Sequence, residues 1–398
     1  MEWNRRDFMV GPIVMAGTAS VLGRTDSLLT KLLGHSGPLI QRTLGKTGLS
    51  MPVVSMGVMN ADIPGLLRRS YELGIRHFDT AAGYQGGRNE EMVGSVIKEL
   101  GVRQEVIIAT KQHMRNRPPN VAEAKRQFMD GVGASLQRLQ MDHVEILYYH
   151  AVDSVEDARA DGPLEALQTL KKQGKTRFIG LSTHKTSEIL PEAMRQNIFD
   201  VFLVTLNYSM AHDTQMLNII ERAADRGIGI VAMKTQAGGT AKPDAKDRKQ
   251  LPALSQTALL KWALNHEFVT TAIPGFSTYQ HLEQDFSVVR DLSYTAQEKA
   301  FLEDKNFFAQ TEFCQQCGQC SQDCPMHVDV PSLMRSHMYV VQYRKPALAR
   351  DTMAGIEGGR GLAGCEGCES CKLSCRNNVQ IGRKIAQLRT LARDNFVC

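Results

Sequence analysis

Cysteine is absent from the first 313 residues and then occurs nine times between Cys314 and Cys398. Disulfides that held a fold together would be spread through it, so this segregation marks a separate module with its own chemistry. Strong charge is also lacking: 47 Lys and Arg against 42 Asp and Glu leave a net +5 over 398 residues. No block of Lys and Arg alternates with aromatic residues, so no nucleic-acid footprint is present. The uncharged run 8–23 is too short, and too rich in Gly, Ala and Thr, for a stable membrane span. No G-x-G-x-x-G follows any candidate strand, which argues against a Rossmann site. What remains is ordinary for a soluble globular chain, 42% apolar and 22% charged, and long enough for a large core plus an added module.

The stretch that organises the chain is His77-Phe78-Asp79-Thr80-Ala81-Ala82-Gly83-Tyr84, a short apolar strand running into an acid and a small-residue turn that carries a phenol. Around it, a Gly-punctuated hairpin over 42–49 leads into short apolar runs at 53–57, 77–81, 106–111, 144–150, 177–182, 201–207, 229–234 and 269–274. Helical patterns at 89–100, 121–140, 163–173, 214–226 and 254–266 lie between and after them. Eight such repeats specify an α/β fold, a (β/α)8 TIM barrel, with an open doubly wound sheet as the alternative. The polar run 239–250 reads as an insertion after the seventh strand, a solvated loop or a lid. A last helical pattern over 296–308 precedes the cysteines.

Three successive strands end on Asp79, Lys111 and His150, with Tyr84 just beyond the first. They would share one rim of a parallel barrel, the end where such barrels keep their chemistry. Carbonyl reduction by a nicotinamide needs a proton donor for the oxygen. A phenol serves if a cation such as Lys111 stabilises its phenolate, with Asp79 orienting the lysine and His150 hydrogen-bonding the oxygen. Singly, each residue has an ordinary explanation as a cap, a rim residue or a surface charge. Their shared end of consecutive strands argues against coincidence.

These residues resemble the aldo/keto reductase family over about residues 39–290. The likeness rests on Gly74-Ile75-Arg76-His77-Phe78-Asp79-Thr80-Ala81 with Tyr84 and Asn89-Glu90, on Ala109-Thr110-Lys111, on Leu147-Tyr148-Tyr149-His150 with Asp153, and on Gly180-Leu181-Ser182. The resemblance assigns Tyr84 as proton donor supported by Asp79, Lys111 and His150, and implies NADP(H) or NAD(H) lying across the barrel mouth. It matches Ser182, Thr183 and Asn207 to the carboxamide contacts, and Met233 to the nicotinamide stacking position. Pro274, Gly275 and Ser277 match the phosphate and ribose loop, with Gln284 and Asp285 near the adenine. No Arg or Lys stands between Gly275 and Asp285, so the usual partner of a 2′-phosphate is missing.

The tail carries Cys314-x2-Cys317-x2-Cys320-x3-Cys324-Pro325 and repeats the spacing at Cys365, Cys368, Cys371 and Cys375. Two identical copies of this ferredoxin-like spacing point to two [4Fe-4S] clusters, the fourth cysteine of each run ligating the cluster of the other. Zinc normally uses two separated pairs. The residues between the runs read as helical over 331–353, so the module resembles an α-helical ferredoxin. Cys398 has no assigned role.

At the N-terminus, Arg5-Arg6-Asp7-Phe8 ahead of the uncharged run resembles a twin-arginine export signal; a chance arginine pair on a cytoplasmic chain is the alternative. The division expected is 1–37 signal and linker, 38–295 barrel, and 296–398 dicluster domain, with a periplasmic or otherwise extracytoplasmic location. The function expected is an iron-sulfur oxidoreductase acting on a small carbonyl or alcohol, with a redox partner protein for the clusters. The alternative is an electron-transfer protein whose barrel is a docking scaffold. A nicotinamide gives two electrons at once whereas each cluster takes one, and no flavin motif bridges the two.

Overall fold

A computed structural model describes residues 37–114, 118–236, 253–304, 313–356, 358–368 and 370–394. The twin-arginine segment, the run 239–250 and Cys398 lie outside them. Among the described residues no helix is long and apolar enough to cross a membrane.

A hairpin opens the described chain. Strands β1 (Gln41–Thr43) and β2 (Ser50–Pro52) pair antiparallel around a tight turn at Gly45–Thr47. Gly45 sits at a φ of 49°, where a Cβ would fall 2.3 Å from the Gly227 carbonyl oxygen. Only glycine lets the hairpin approach that closely. Leu44 and Met51 thereby plug the barrel, packing with Ile107, Ile146, Tyr148, Val201, Leu203 and Val231 in its interior.

Eight parallel strands follow: β3 (Met56–Gly57), β4 (His77–Asp79), β5 (Ile107–Gln112), β6 (Val144–Tyr149), β7 (Thr176–Thr183), β8 (Val201–Thr205), β9 (Gly229–Met233) and β10 (Thr271–Ala272). They pair strictly with their sequence neighbours, as right-handed strand-helix-strand crossovers require. Backbone bridges Val54 to Ala272 and Gly57 to Gly275 bring the last strand back to the first. The result is a near-closed (β/α)8 barrel rather than an open sheet. All eight expected strands are present: β4, β6, β8 and β9 end one or two residues early at the mouth, β3 and β10 keep two residues each, β5 is offset by one, and β7 runs one residue further at each end.

The expected helices form at Arg88–Leu100, Val121–Leu139, Asp161–Lys172, Thr214–Asp225 and Ala253–Leu264. Their starts are chemically specified: Asn120 accepts from the Glu123 N–H and Asp213 from the Met216 N–H. The helix expected at 296–308 is Ala296–Glu303, begun by a Thr295/Glu298 capping box. Helices at Pro64–Leu73, Thr186–Gln196 and Tyr279–Phe286 complete the outer ring. Thr186–Gln196 runs through Pro191, held by buried Ile189, Leu190, Ala193 and Met194.

The cysteine-rich tail is mostly helical, as expected. Val330–His337 continues into a π-turn at Met338–Gln342, where the Tyr343 N–H reaches the Met338 carbonyl at 3.1 Å. Pro346–Ala354 and Ile381–Arg393 pack around it. The described residues from Leu39 onward form one compact unit, with the tail seated on the mouth of the barrel.

Candidate active site

Asp79, Tyr84, Lys111 and His150, the four expected catalytic residues, come together at the carboxyl ends of β4, β5 and β6. Parallel register sets Asp79 beside Ala109 and Lys111 beside Tyr148, so the strand-end side chains converge. The Lys111 ammonium donates to the Asp79 carboxylate, to the Thr80 carbonyl at 2.6 Å and to the Tyr84 hydroxyl at 3.5 Å. It also lies 4.9 Å from the centre of the Tyr84 ring. His150 presents its ring edge-on to Tyr84, centroids 5.8 Å apart. Lys111 and Asp79 are fully buried, whereas Tyr84 and His150 stand half-buried on the cavity wall.

Burial, the Asp79 carboxylate and the Tyr339 hydroxyl hold Tyr84 well above the ordinary phenol range. Tyr84 is therefore a protonated phenol at neutral pH, the form that donates a proton. Burial pushes Lys111 down against the opposing pull of Asp79. Burial, Lys111, His113 and His184 press His150 well below the imidazole range, leaving it neutral.

Buried supports fix the loop that carries Tyr84. Thr80 donates to Asn89 (2.6 Å), and Asn89 donates to the Val58 carbonyl (3.0 Å), tying β4 to the loop after β3. Glu90 accepts from Thr110 (2.5 Å) and from Arg138 (2.6 Å), which steadies β5 next to Lys111.

A cavity of about 1620 Å³ covers this rim. Of the expected cofactor positions, Ser182, Met233, Pro274, Gly275, Ser277 and Asp285 line it. Thr183, Asn207 and Gln284 do not. Thr183 is spent on Asp153 (3.2 Å) and Gln284 on Gln256 (3.3 Å). Asn207 is fully buried, its carbonyl oxygen accepting from Ser209, and its Nδ2 has no partner among the described residues. An unsatisfied buried amide is a donor in need of an acceptor, which a carboxamide would supply. Asp285 accepts from Gln236 (2.6 Å), and burial raises its carboxyl to about 7.

Sequence reasoning missed the other wall. Tyr339, Gln342 and Tyr343 of the tail line the same cavity, Lys234 donates to the Tyr339 hydroxyl at 3.3 Å, and Arg335 pairs with Asp153 at 2.9 Å. Asp153 also accepts from the His184 N–H (2.8 Å) and faces the His184 ring. His184 and Arg335 hold its carboxylate well below the usual range against the penalty of burial.

The eight described cysteines are free thiols. Cys314, Cys317, Cys320 and Cys375 line one cavity of about 250 Å³, three from the first run and the last from the second. The Cys365 thiol correspondingly faces Cys324, Cys371 and Cys368. Burial, together with the neighbouring Cys320, Cys317 and Cys375, pushes Cys314 up to about 12. Four thiolates in that space therefore call for cationic compensation, and the donor set suits an iron-sulfur core. Among the described residues no group of three or more His, Cys, Asp or Glu side chains is placed to hold a single metal ion.

Residues 59–253 match the aldo/keto reductase family. L-galactose dehydrogenase of Arabidopsis thaliana is 28% identical over 291 residues, which cover 63% of this chain and 88% of the plant protein. An aldo-keto reductase of Bacillus halodurans superposes with a TM-score of 0.55 at 23% identity, over 67% of this chain and 96% of that one. An aldo-keto reductase of Klebsiella pneumoniae in complex with NADPH superposes with a TM-score of 0.52 at 20% identity, over 67% of this chain and 95% of its own. The (β/α)8 barrel of this chain thus carries an aldo/keto reductase family domain, and the protein is an aldo/keto reductase-type oxidoreductase.

Proposed function

We propose that the protein is an iron-sulfur oxidoreductase that reduces a small carbonyl compound, or oxidises the matching alcohol, with Tyr84 as proton donor. One observation carries this reading: a protonated phenol is held against a buried ammonium that is itself fixed by Asp79 and Thr80. When bound, NAD(P)H supplies hydride to the carbonyl carbon. Tyr84 gives its proton to the oxygen as negative charge develops there, and the Lys111 ammonium stabilises the phenolate left behind. Neutral His150 has one N–H to donate to the same oxygen. Met233 offers the nicotinamide a soft apolar surface, and Ser182 suits its carboxamide. A protein that used its barrel only for docking would gain nothing from burying Lys111 beside a phenol.

The thiols suit two [4Fe-4S] clusters, one held by Cys314, Cys317, Cys320 and Cys375, the other by Cys324, Cys365, Cys368 and Cys371. When assembled, they supply one-electron chemistry, which fits a redox partner protein. Export as a loaded, folded protein through Arg5 and Arg6 belongs to the same proposal, and Lys-Lys at those positions should retain a fused reporter in the cytoplasm.

Tyr84→Phe tests the reductase reading. Carbonyl turnover should fall about 10²–10⁴-fold, the contribution of a positioned acid, while NAD(P)H still binds by fluorescence titration. Unchanged turnover would sink the mechanism. Iron and labile sulfide should each approach about eight per chain if both clusters assemble.

A further inference from the structure

Three carboxylates that line the cavity are paired within it: Asp79 with Lys111, Asp153 with Arg335 and Asp62 with Lys345. Lys185, Lys234 and Arg344 line the same space and pair with no carboxylate among the described residues. Lys234 is half-buried and reaches the tail. It follows Met233 at the end of β9 with a φ of 57°, a left-handed backbone that a lysine rarely adopts. Its ammonium lies 5.2 Å from the centre of the Tyr339 ring and donates to the Tyr339 hydroxyl. Since that hydroxyl accepts from Lys234, its own proton is free to point elsewhere, and the ammonium keeps two further donors.

We propose that Lys234 and Tyr339 form an anion clamp in the cavity that Tyr84 lines, so that the preferred substrate is a carbonyl compound bearing a carboxylate or phosphate. The inference rests on the reductase reading. It makes Tyr339 of the cysteine-rich tail a specificity-determining residue of the barrel site, which explains why the tail covers the mouth. Tyr84, Lys234 and Tyr339 line one cavity, so an anion held at the clamp would share that space with the reacting carbonyl.

The test uses the full, cluster-loaded chain with 4-carboxybenzaldehyde and its neutral counterpart, methyl 4-formylbenzoate. The wild-type protein should favour the carboxylate in kcat/KM by at least about tenfold, a difference of about 1.4 kcal/mol. Lys234→Met should abolish that preference, Tyr339→Phe should reduce it, and Lys234→Arg should retain most of it. Calorimetric binding of 4-(hydroxymethyl)benzoate and its methyl ester should show the same ranking without turnover. The clamp therefore stands or falls separately from Tyr84 chemistry: absence of reduction with selective binding of the benzoate indicts the reductase reading alone. Equal handling of acid and ester by the wild type overturns the proposal. So does a preference that survives Lys234→Met while NADPH and NADH both bind more weakly, which would assign the ammonium to the cofactor diphosphate.

Discussion

The guanidinium of Arg335, in the cysteine-rich tail, lies 2.9 Å from the carboxylate of Asp153 at the rim of the barrel, and both side chains are almost fully excluded from water. Arg335 also donates to Gln316 (3.1 Å), which sits between Cys314 and Cys317. One arginine thus ties the loop of the first thiol cavity to the wall of the catalytic one. Breaking a buried pair by removing one partner leaves a charge uncompensated, at a cost of about 3–5 kcal/mol.

Arg335→Met should therefore loosen the tail from the barrel. Amide exchange over residues 330–342 is expected to speed up well before that of β4 to β7. The imidazole of His184, which burial and Arg335 now hold at about 4, should titrate higher. An exchange pattern identical to wild type would show that the pair does not anchor the tail.

Lys111→Met should strand Asp79 in the interior. Both side chains are essentially inaccessible, and the second Asp79 oxygen already lacks a partner among the described residues. Loss of about 3–5 kcal/mol in stability is expected, together with loss of turnover. Adding Asp79→Asn should restore much of the stability and none of the turnover. If the double variant regains activity, the lysine has no chemical role.

Much of this site was legible because strand ends are. Asp79, Lys111 and His150 each close an apolar run, and a parallel barrel gathers such ends at one rim. The ferredoxin-like spacing likewise reads directly from Cys314 to Cys375. The Arg335–Asp153 and Lys234–Tyr339 contacts were not legible: they join residues 182 and 105 positions apart, and no periodicity encodes which helix of a tail meets which loop of a barrel. Thr186–Gln196 escaped notice because Pro191 signals a break, and burial of its apolar face overrode that signal. That Asp79 and Tyr339 both hold the Tyr84 phenol up was not legible either, since only the geometry sets them beside it.

The barrel interior offers a sharper test of packing. Tyr148 on β6 stands opposite Gly180 on β7, and a Cβ on Gly180 would fall 2.3 Å from the Tyr148 ring. Tyr148 is fully buried, so the ring cannot swing into solvent. Gly180→Ala should cost about 1–3 kcal/mol by overpacking, read from urea melts. In a Tyr148→Leu background the same change should cost clearly less, because the two residues share one space. Additive losses would mean that the strain is taken up elsewhere.

Acid should destabilise the fold well above the carboxylate range. His77 is fully buried, neither ring nitrogen has a partner among the described residues, and burial with Lys111 nearby lowers it to about 3. His184 and His337 are lowered to about 4, and His150 well below its ordinary value. Unfolded, each takes a proton below about 6.5, whereas folded it does not; stability is therefore intact above pH 6.5 and falls as pH drops toward the folded values. At pH 5 His77, His184 and His337 each contribute a loss of about 2 kcal/mol, and His150 adds to it in the same sense. Asp285 acts in the opposite sense, since burial raises it to about 7 and its protonation on acidification stabilises the fold. Asp153, held well below the carboxylate range, adds its own loss only under still more acidic conditions. Four imidazoles outweigh one carboxyl, so denaturant melts at pH 7.5 and pH 5 should differ by several kcal/mol in favour of pH 7.5. His77→Leu should shrink that difference by about 2 kcal/mol. An undiminished difference would mean that His77 is protonated in the fold and pairs with a neighbour.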